Sequence, residues 1–214
     1  MIVLFDLDGT LIDSAPDIHA ASNEIMAAEG FPPLDLATVR SFVGKGVPNL
    51  VTRLLAAHGI DDPARAARLV SAFGARYETA VGLTQPYPGV PAALDALRAG
   101  GHVLGICTNK PVAPARAVLR HLGLLDHFAV VIGGDSAPER KPDPAPLHLA
   151  HQACGGGPAV FVGDSEVDAE CADRAGMDLL LFTGGYRKTP VAELPHAAAF
   201  DHFDELAGLV GARG

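Results

Sequence analysis

The chain has 214 residues, 49% of them apolar and 19% charged, and a formal net charge of −9, which is the composition of an ordered α/β-sized protein and not of a disordered one. The acidic balance argues against nucleic-acid and membrane partners, since like charges repel at long range. It also means that any phosphate site needs its few cations well placed, or a metal.

Met1–Phe5 is too short and lacks the basic lead of a signal peptide, and no stretch approaches the ~20 apolar residues of a membrane span. Cys107, Cys154 and Cys171 are odd in number and show no CxxC spacing, which argues against a disulfide framework. A cytoplasmic location is expected.

Ile2–Phe5 opens the chain as a short apolar run, and acids follow it at once. From Ala15 to about Val81 only helical patterns occur. Ser14 with Asp17 three residues later reads as an N-cap and capping box, with Gly30 as the stop. Asp62-Pro63 opens a later helix in which Leu69, Val70, Phe73 and Tyr77 share one face. Gln85-Pro86-Tyr87-Pro88-Gly89 reads as a turn-rich linker.

Beyond it, short apolar runs alternate with helices. Val103–Cys107, Val130–Ile132, Val160–Val162 and Leu179–Phe182 suit strands buried on both faces of a parallel sheet. Val90–Ala99, Ala113–Leu122 and Ser165–Ala175 each end at a glycine, the usual residue past a helix end. A last strand is expected near Ala198–Phe200. The pattern predicts an α/β fold: a doubly wound, Rossmann-like parallel sheet formed by residues 1–14 and 82–214, with an inserted α-helical cap domain over 15–81.

Four features fall at the carboxyl ends of predicted strands. Asp6-Leu7-Asp8-Gly9-Thr10 follows the first strand, and strand alternation would point Asp6 and Asp8 the same way, a crowding that a hard cation relieves. Thr108-Asn109 offers a hydroxyl and a backbone N–H to an anion. Lys141, in Arg140-Lys141-Pro142, would neutralise charge. Gly163-Asp164-Ser165-Glu166-Val167-Asp168 spaces two acids so that both can face one crevice. Each also has an ordinary reading as a turn, a cap or a solvated side chain.

In this order the four features resemble the haloacid dehalogenase superfamily, and the position of the insert resembles its first cap type. Within the superfamily, Gly44-Lys45-Gly46-Val47-Pro48, Tyr87-Pro88-Gly89 and Gly184-Gly185-Tyr186 are similar to bacterial phosphoglycolate phosphatases, although Arg187 stands where those usually have Asn. The resemblance implies a Mg²⁺-dependent phosphatase for a small phosphorylated metabolite such as 2-phosphoglycolate. Asp6 would be the nucleophile and Asp8 the general acid and base. Thr108, Asn109 and Lys141 would bind phosphate. Asp6, Asp164 and the backbone carbonyl of Asp8 would hold the metal, with Asp168 beside or behind them. Lys45, between two glycines in the cap, would set substrate preference by meeting a substrate carboxylate.

A phosphomutase of the β-phosphoglucomutase kind would use the same motifs, though Thr10 favours a phosphatase, and a non-catalytic binder would not need the full acid and lysine set. The chain is expected to be a monomer or a homodimer. His148 and His151 lack companions for a metal site, Cys107 reads as a small buried hydrophobe, and Gly155-Gly156-Gly157 as a flexible connection.

Overall fold

In the computed structural model, which describes residues 1–213, β1 (Ile2–Phe5) is followed by a two-residue strand, β2 (Ile12–Asp13). Four helices come next: α1 (Ala15–Ala28), α2 (Leu36–Arg40), α3 (Val47–Ala57) and α4 (Pro63–Tyr77). The chain returns through β3 (Gln85–Pro86) and then alternates: α5 (Val90–Ala99), β4 (Val103–Cys107), α6 (Val112–His121), β5 (Val130–Ile132), α7 (Ala145–Ala153), β6 (Ala159–Gly163), α8 (Glu166–Ala175), β7 (Asp178–Phe182), β8 (Ala198–Phe200) and α9 (Leu206–Gly211).

Six strands form one parallel sheet in the order β5-β4-β1-β6-β7-β8. The apolar runs are continuous because each strand is covered twice. Val3 and Phe5 of β1, Val160 and Val162 of β6, and Leu180 and Phe182 of β7 pack on one face, with α5, α6 and α9. Ile2, Leu4, Phe161, Leu179 and Leu181 pack on the other, with α7 and α8. The two-residue side-chain period of a strand sends alternate residues to opposite cores, so a polar residue is left only at a strand end, as Asp178 is in β7.

The helical segment after β1 has a core of its own, drawn wholly from residues 18–77, in which Leu54 and Phe73 are fully buried. On α4, Leu69, Phe73 and Tyr77 are buried and Val70 lies at the margin, as a 3.6-residue period requires. Two expectations fail here. The linker is not wholly irregular, because Gln85 and Pro86 pair antiparallel with Asp13 and Ile12 and tie the entry and exit of the helical segment together. Ser14 and Asp17 do not form a capping box: the Ser14 side chain makes no cap bond, and Asp17 instead accepts from the backbone N–H of Leu83 and Thr84 and from the Thr84 hydroxyl. A buried carboxylate takes strong donors where they converge, and the returning chain brings three.

Leu4 is fully buried at the centre of the sheet. Leu4→Ala should lower the unfolding free energy by about 2–5 kcal/mol, seen as an earlier urea midpoint at unchanged slope. A loss below about 1 kcal/mol would show that this strand does not lie at the centre of the folded core.

Candidate active site

The central strand β1 lies between β4 and β6, where the winding direction of the sheet reverses. In open α/β sheets the crevice beyond the carboxyl ends of the strands at that point is where ligands bind. Asp6 follows β1, Thr108 follows β4 and Asp164 follows β6, while Lys141 arrives on the long connection after β5.

Lys141 Nζ lies 2.8 Å from Asp6 Oδ1 and 2.6 Å from Asp168 Oδ1, with its side chain 2% exposed. Asp168 has a second task. With Ser165 it forms the capping box of α8, and its other oxygen accepts from the N–H of Asp164 and Ser165 and from the Ser165 hydroxyl. Asp164 accepts from the Thr10 hydroxyl at 2.7 Å and from the Tyr186 N–H at 2.6 Å. Its carboxylate leaves no room for a side chain on two neighbours. A Cβ on Gly9, whose φ is +91°, would stand 2.7 Å from Asp164 Oδ2, and one on Gly185 would collide with the same carboxylate.

The electrostatics are those of a site with more negative than positive charge. Burial raises the Asp6 carboxyl to about 7, with Asp168 and Asp8 adding to the effect and Lys141 opposing it. Burial, then the charges of Asp168 and Asp6, hold the Asp164 carboxyl well above its usual range. Burial disfavours the charged form of Lys141, but the attraction of Asp168 and Asp6 outweighs it and raises the ammonium well above the usual range. Asp6, Asp164 and Asp168 each offer an oxygen within 4.8 Å of the others. Asp164 has two neutral donors and, among the described residues, no cation paired with it. An all-oxygen set with an uncompensated buried charge fits a hard divalent ion such as Mg²⁺.

Asp8 departs from the expected arrangement. Its carboxylate does not join Asp6 and Asp164; it takes the Ser14 hydroxyl at 2.6 Å, Lys110 Nζ at 3.2 Å and the Tyr77 hydroxyl at 3.4 Å. The alternation that would have aligned Asp6 and Asp8 stops because β1 ends at Phe5 and the chain turns, with Thr10, Leu11 and Ile12 N–H groups all reaching Leu7 O. What remains of Asp8 for a metal is its backbone carbonyl.

Thr108 is buried at the strand end, its hydroxyl accepting from the Lys110 N–H at 3.2 Å. The Asn109 amide is committed elsewhere, donating to Gly44 O of the helical segment and to Lys141 O, both at 2.9 Å. Lys45 is exposed and lines the wider of two cavities that meet at Asp6 and Asp8, one of about 120 Å³ that also touches Asn49, Arg53 and Tyr186. The narrower, of about 40 Å³, lies between Asp8, Thr108 and Lys110 and apolar side chains of the helical segment. His148 is exposed and His151 bonds Gly157 O at 2.7 Å, so neither contributes here, and Cys107 is buried with burial raising its thiol pKa.

Three contributors escaped the sequence reading. Lys110 is buried against Asp8; being next to Thr108-Asn109 was the only hint. Tyr77 looked like core on an apolar helix face, yet it also brings a hydroxyl to Asp8. Tyr186 was noted only as part of a motif. Its N–H holds Asp164, its hydroxyl donates to Asp13 and accepts from the N–H of Ser14 and Ala15, and Arg40 stacks on its ring at 4.7 Å while donating to Gly185 O. Arg187, the unusual residue, donates from its guanidinium to Thr183 O and stays outside the acid cluster.

Residues 1–176 match the family model of haloacid dehalogenase-like hydrolases. The chain is 52% identical over 210 residues to the phosphoglycolate phosphatase of Cereibacter sphaeroides (strain ATCC 17029), covering 97% of this chain and 96% of that one. It is 50% identical over 214 residues to the phosphoglycolate phosphatase of Rhodobacter capsulatus, at 97% and 95% coverage. Among solved structures, a protein described as a predicted phosphoglycolate phosphatase of Haemophilus somnus 129PT superposes with a TM-score of 0.90 at 30% identity, covering 98% of this chain and 97% of that one. CbbY of Rhodobacter sphaeroides, in complex with phosphate, superposes with a TM-score of 0.83 at 27% identity and 96% coverage of each chain.

The raised carboxyl of Asp6 has a consequence for metal-free protein. Unfolded, Asp6 ionises around 3.8; folded, it keeps its proton to about 7. Between these values the folded state holds the extra proton, so this group's contribution to stability declines as pH rises across the window. In EDTA, Asp6→Asn, which cannot ionise, should therefore melt higher than the wild type at pH 8, with the gap closing toward pH 5. A gap that is constant with pH would show that Asp6 does not titrate in this window.

Proposed function

The chain belongs to the haloacid dehalogenase-like hydrolases, and from that premise we propose that it hydrolyses 2-phosphoglycolate to glycolate and phosphate through a phosphorylated Asp6. That it is a phosphoric monoester hydrolase follows from its relatives; the mechanism and the substrate are the proposed parts. The observation that carries the mechanism is the ion pair of buried Asp6 with Lys141 at 2.8 Å, beside a second carboxylate, Asp8, that faces away from the acid cluster. Two carboxylates in different surroundings can divide nucleophilic and proton-transfer work.

In the first half-reaction an oxygen of Asp6 attacks phosphorus while the ester oxygen leaves with a proton from Asp8. In the second, Asp8 takes a proton from water, which attacks the aspartyl-phosphate, frees phosphate and restores Asp6. Lys141 and the Thr108 hydroxyl bind the phosphoryl oxygens. Asn109 joins them through its main-chain N–H, because its amide is used to hold the Gly44 loop and the Lys141 segment. Mg²⁺, held by Asp6, Asp164 and the Asp8 carbonyl with Asp168 steadying Lys141 behind them, would supply positive charge against the repulsion between a carboxylate and a phosphate dianion. The segment 15–81 acts as a cap that keeps bulk water from the intermediate.

Relatives named phosphoglycolate phosphatase at about half identity support a small substrate. Lys45, at the open rim, contributes to substrate preference by drawing the anion in.

Three outcomes test this reading. Asp6→Asn should retain the fold and less than about a thousandth of kcat; a tenth of normal turnover would exclude the covalent route. EDTA should abolish hydrolysis and Mg²⁺ restore it, whereas full turnover in rigorously metal-free buffer would remove the metal from the scheme. Lys45→Ala should lower kcat/KM for phosphoglycolate by the equivalent of only ~0.2–1 kcal/mol, with the loss shrinking in high salt, as for an exposed charge. A panel of phosphorylated metabolites decides the substrate.

A further inference from the structure

The phosphoryl chemistry leaves one buried cation unused. Lys110 has a side chain only 3% exposed. An ammonium taken from water is costly unless a countercharge meets it. Among the described residues its one carboxylate partner is Asp8, and its Nζ sits over the ring of Tyr77, 3.7 Å from the centroid. Asp8 has further donors beside that pairing: the Ser14 hydroxyl donates to the same oxygen at 2.6 Å, and the Tyr77 hydroxyl donates to the other. Ring and backbone thus hold the ammonium in a fixed place, while its acceptor has donors to spare.

That place is one side of the cavity of about 40 Å³ beyond Asp8. Ile18, Val47 and Leu50 wall the cavity, and among the described residues that line it Lys110 is the sole cation. A substrate that phosphorylates Asp6 must put its ester oxygen against Asp8. In a 2-carboxy ester, one methylene separates that oxygen from the carboxylate. A cation already in hydrogen-bond contact with Asp8 is therefore next to where the carboxylate has to lie. Lys45, exposed on the rim of the wider cavity, is screened by water and has no such constraint.

Resting on the reading of 2-phosphoglycolate as substrate, we propose that Lys110 is the residue that selects for it, its ammonium receiving the substrate carboxylate in the small cavity between Asp8 and the helical segment. The apolar walls sharpen the choice. A carboxylate arrives with a partner waiting, whereas a neutral hydroxyl tail is desolvated against Ile18, Val47 and Leu50 and leaves Lys110 without a new countercharge.

The test compares kcat and KM for 2-phosphoglycolate and for 2-hydroxyethyl phosphate, which replaces the carboxylate with a hydroxymethyl group. The wild type should prefer phosphoglycolate. Lys110→Met, which keeps length and loses charge, should slow both substrates through its contact with Asp8. It should also cut the ratio of their kcat/KM values by roughly 10- to 100-fold, the span of a charged hydrogen bond, with the excess loss in KM for phosphoglycolate. Lys110→Arg should keep most of the preference. Should Lys110→Met fail to fold by circular dichroism, Lys110→Gln set against Lys110→Arg makes the same comparison. A preference that survives loss of the charge, with both substrates slowed equally, overturns the proposal and leaves Lys110 acting only through Asp8. A wild type with no preference for the carboxylate overturns the substrate reading itself, and the proposal with it.

Discussion

Lys141 Nζ stands 2.8 Å from Asp6 and 2.6 Å from Asp168 in the interior of a chain whose net charge is −9. Three carboxylates with oxygens within 4.8 Å of one another would repel strongly in a low-dielectric interior. One ammonium cannot neutralise three, and the remainder appears as the raised carboxyls of Asp6 and Asp164. The site is consequently built at some cost to stability, and the surrounding structure is organised to bear it: strand ends converge, the N-terminus of α8 faces Asp168, and hydroxyl and N–H donors from Thr10 and Tyr186 hold Asp164. The surplus of negative charge is what a divalent cation would balance.

The helical segment is tied to this centre by polar contacts rather than by a shared apolar core. Its hydrophobic cluster is self-contained. It reaches the sheet domain where Gly44 O meets the Asn109 amide, where Arg40 meets Gly185 O and the Tyr186 ring, and where Tyr77 meets Asp8 and Lys110. Each contact ends on a residue adjacent to, or part of, the acid cluster. Gly184 and Gly185 let backbone approach where a side chain would collide, most plainly at Gly185 against Asp164, whereas Gly44 and Gly46 serve the 44–46 loop through their positive φ.

The sequence by itself determined the sheet and the order of its functional ends. Strands such as Val160–Val162 are readable because burial on both faces leaves no polar position, and α8 because Ser165, Asp168 and Gly176 supply both of its caps locally. The Asp6, Thr108 and Asp164 positions follow from those strand ends, whereas Lys141 lies well past the end of β5 and is brought in by the long connection. Tertiary structure alone decided where Asp8 points, since a turn at Leu7 breaks the alternation that local pattern assumes. It alone decided that Ser14 serves Asp8 instead of capping α1, because a hydroxyl goes to the strongest acceptor within reach and the acceptor came from outside the helix. The same holds for Lys110 with Asp8, 102 residues apart, and for Arg40 with Gly185, 145 apart. Periodicity tells which face of its own element a side chain occupies. Which distant element meets that face depends on strand order and loop path, and these are settled only when the whole chain packs.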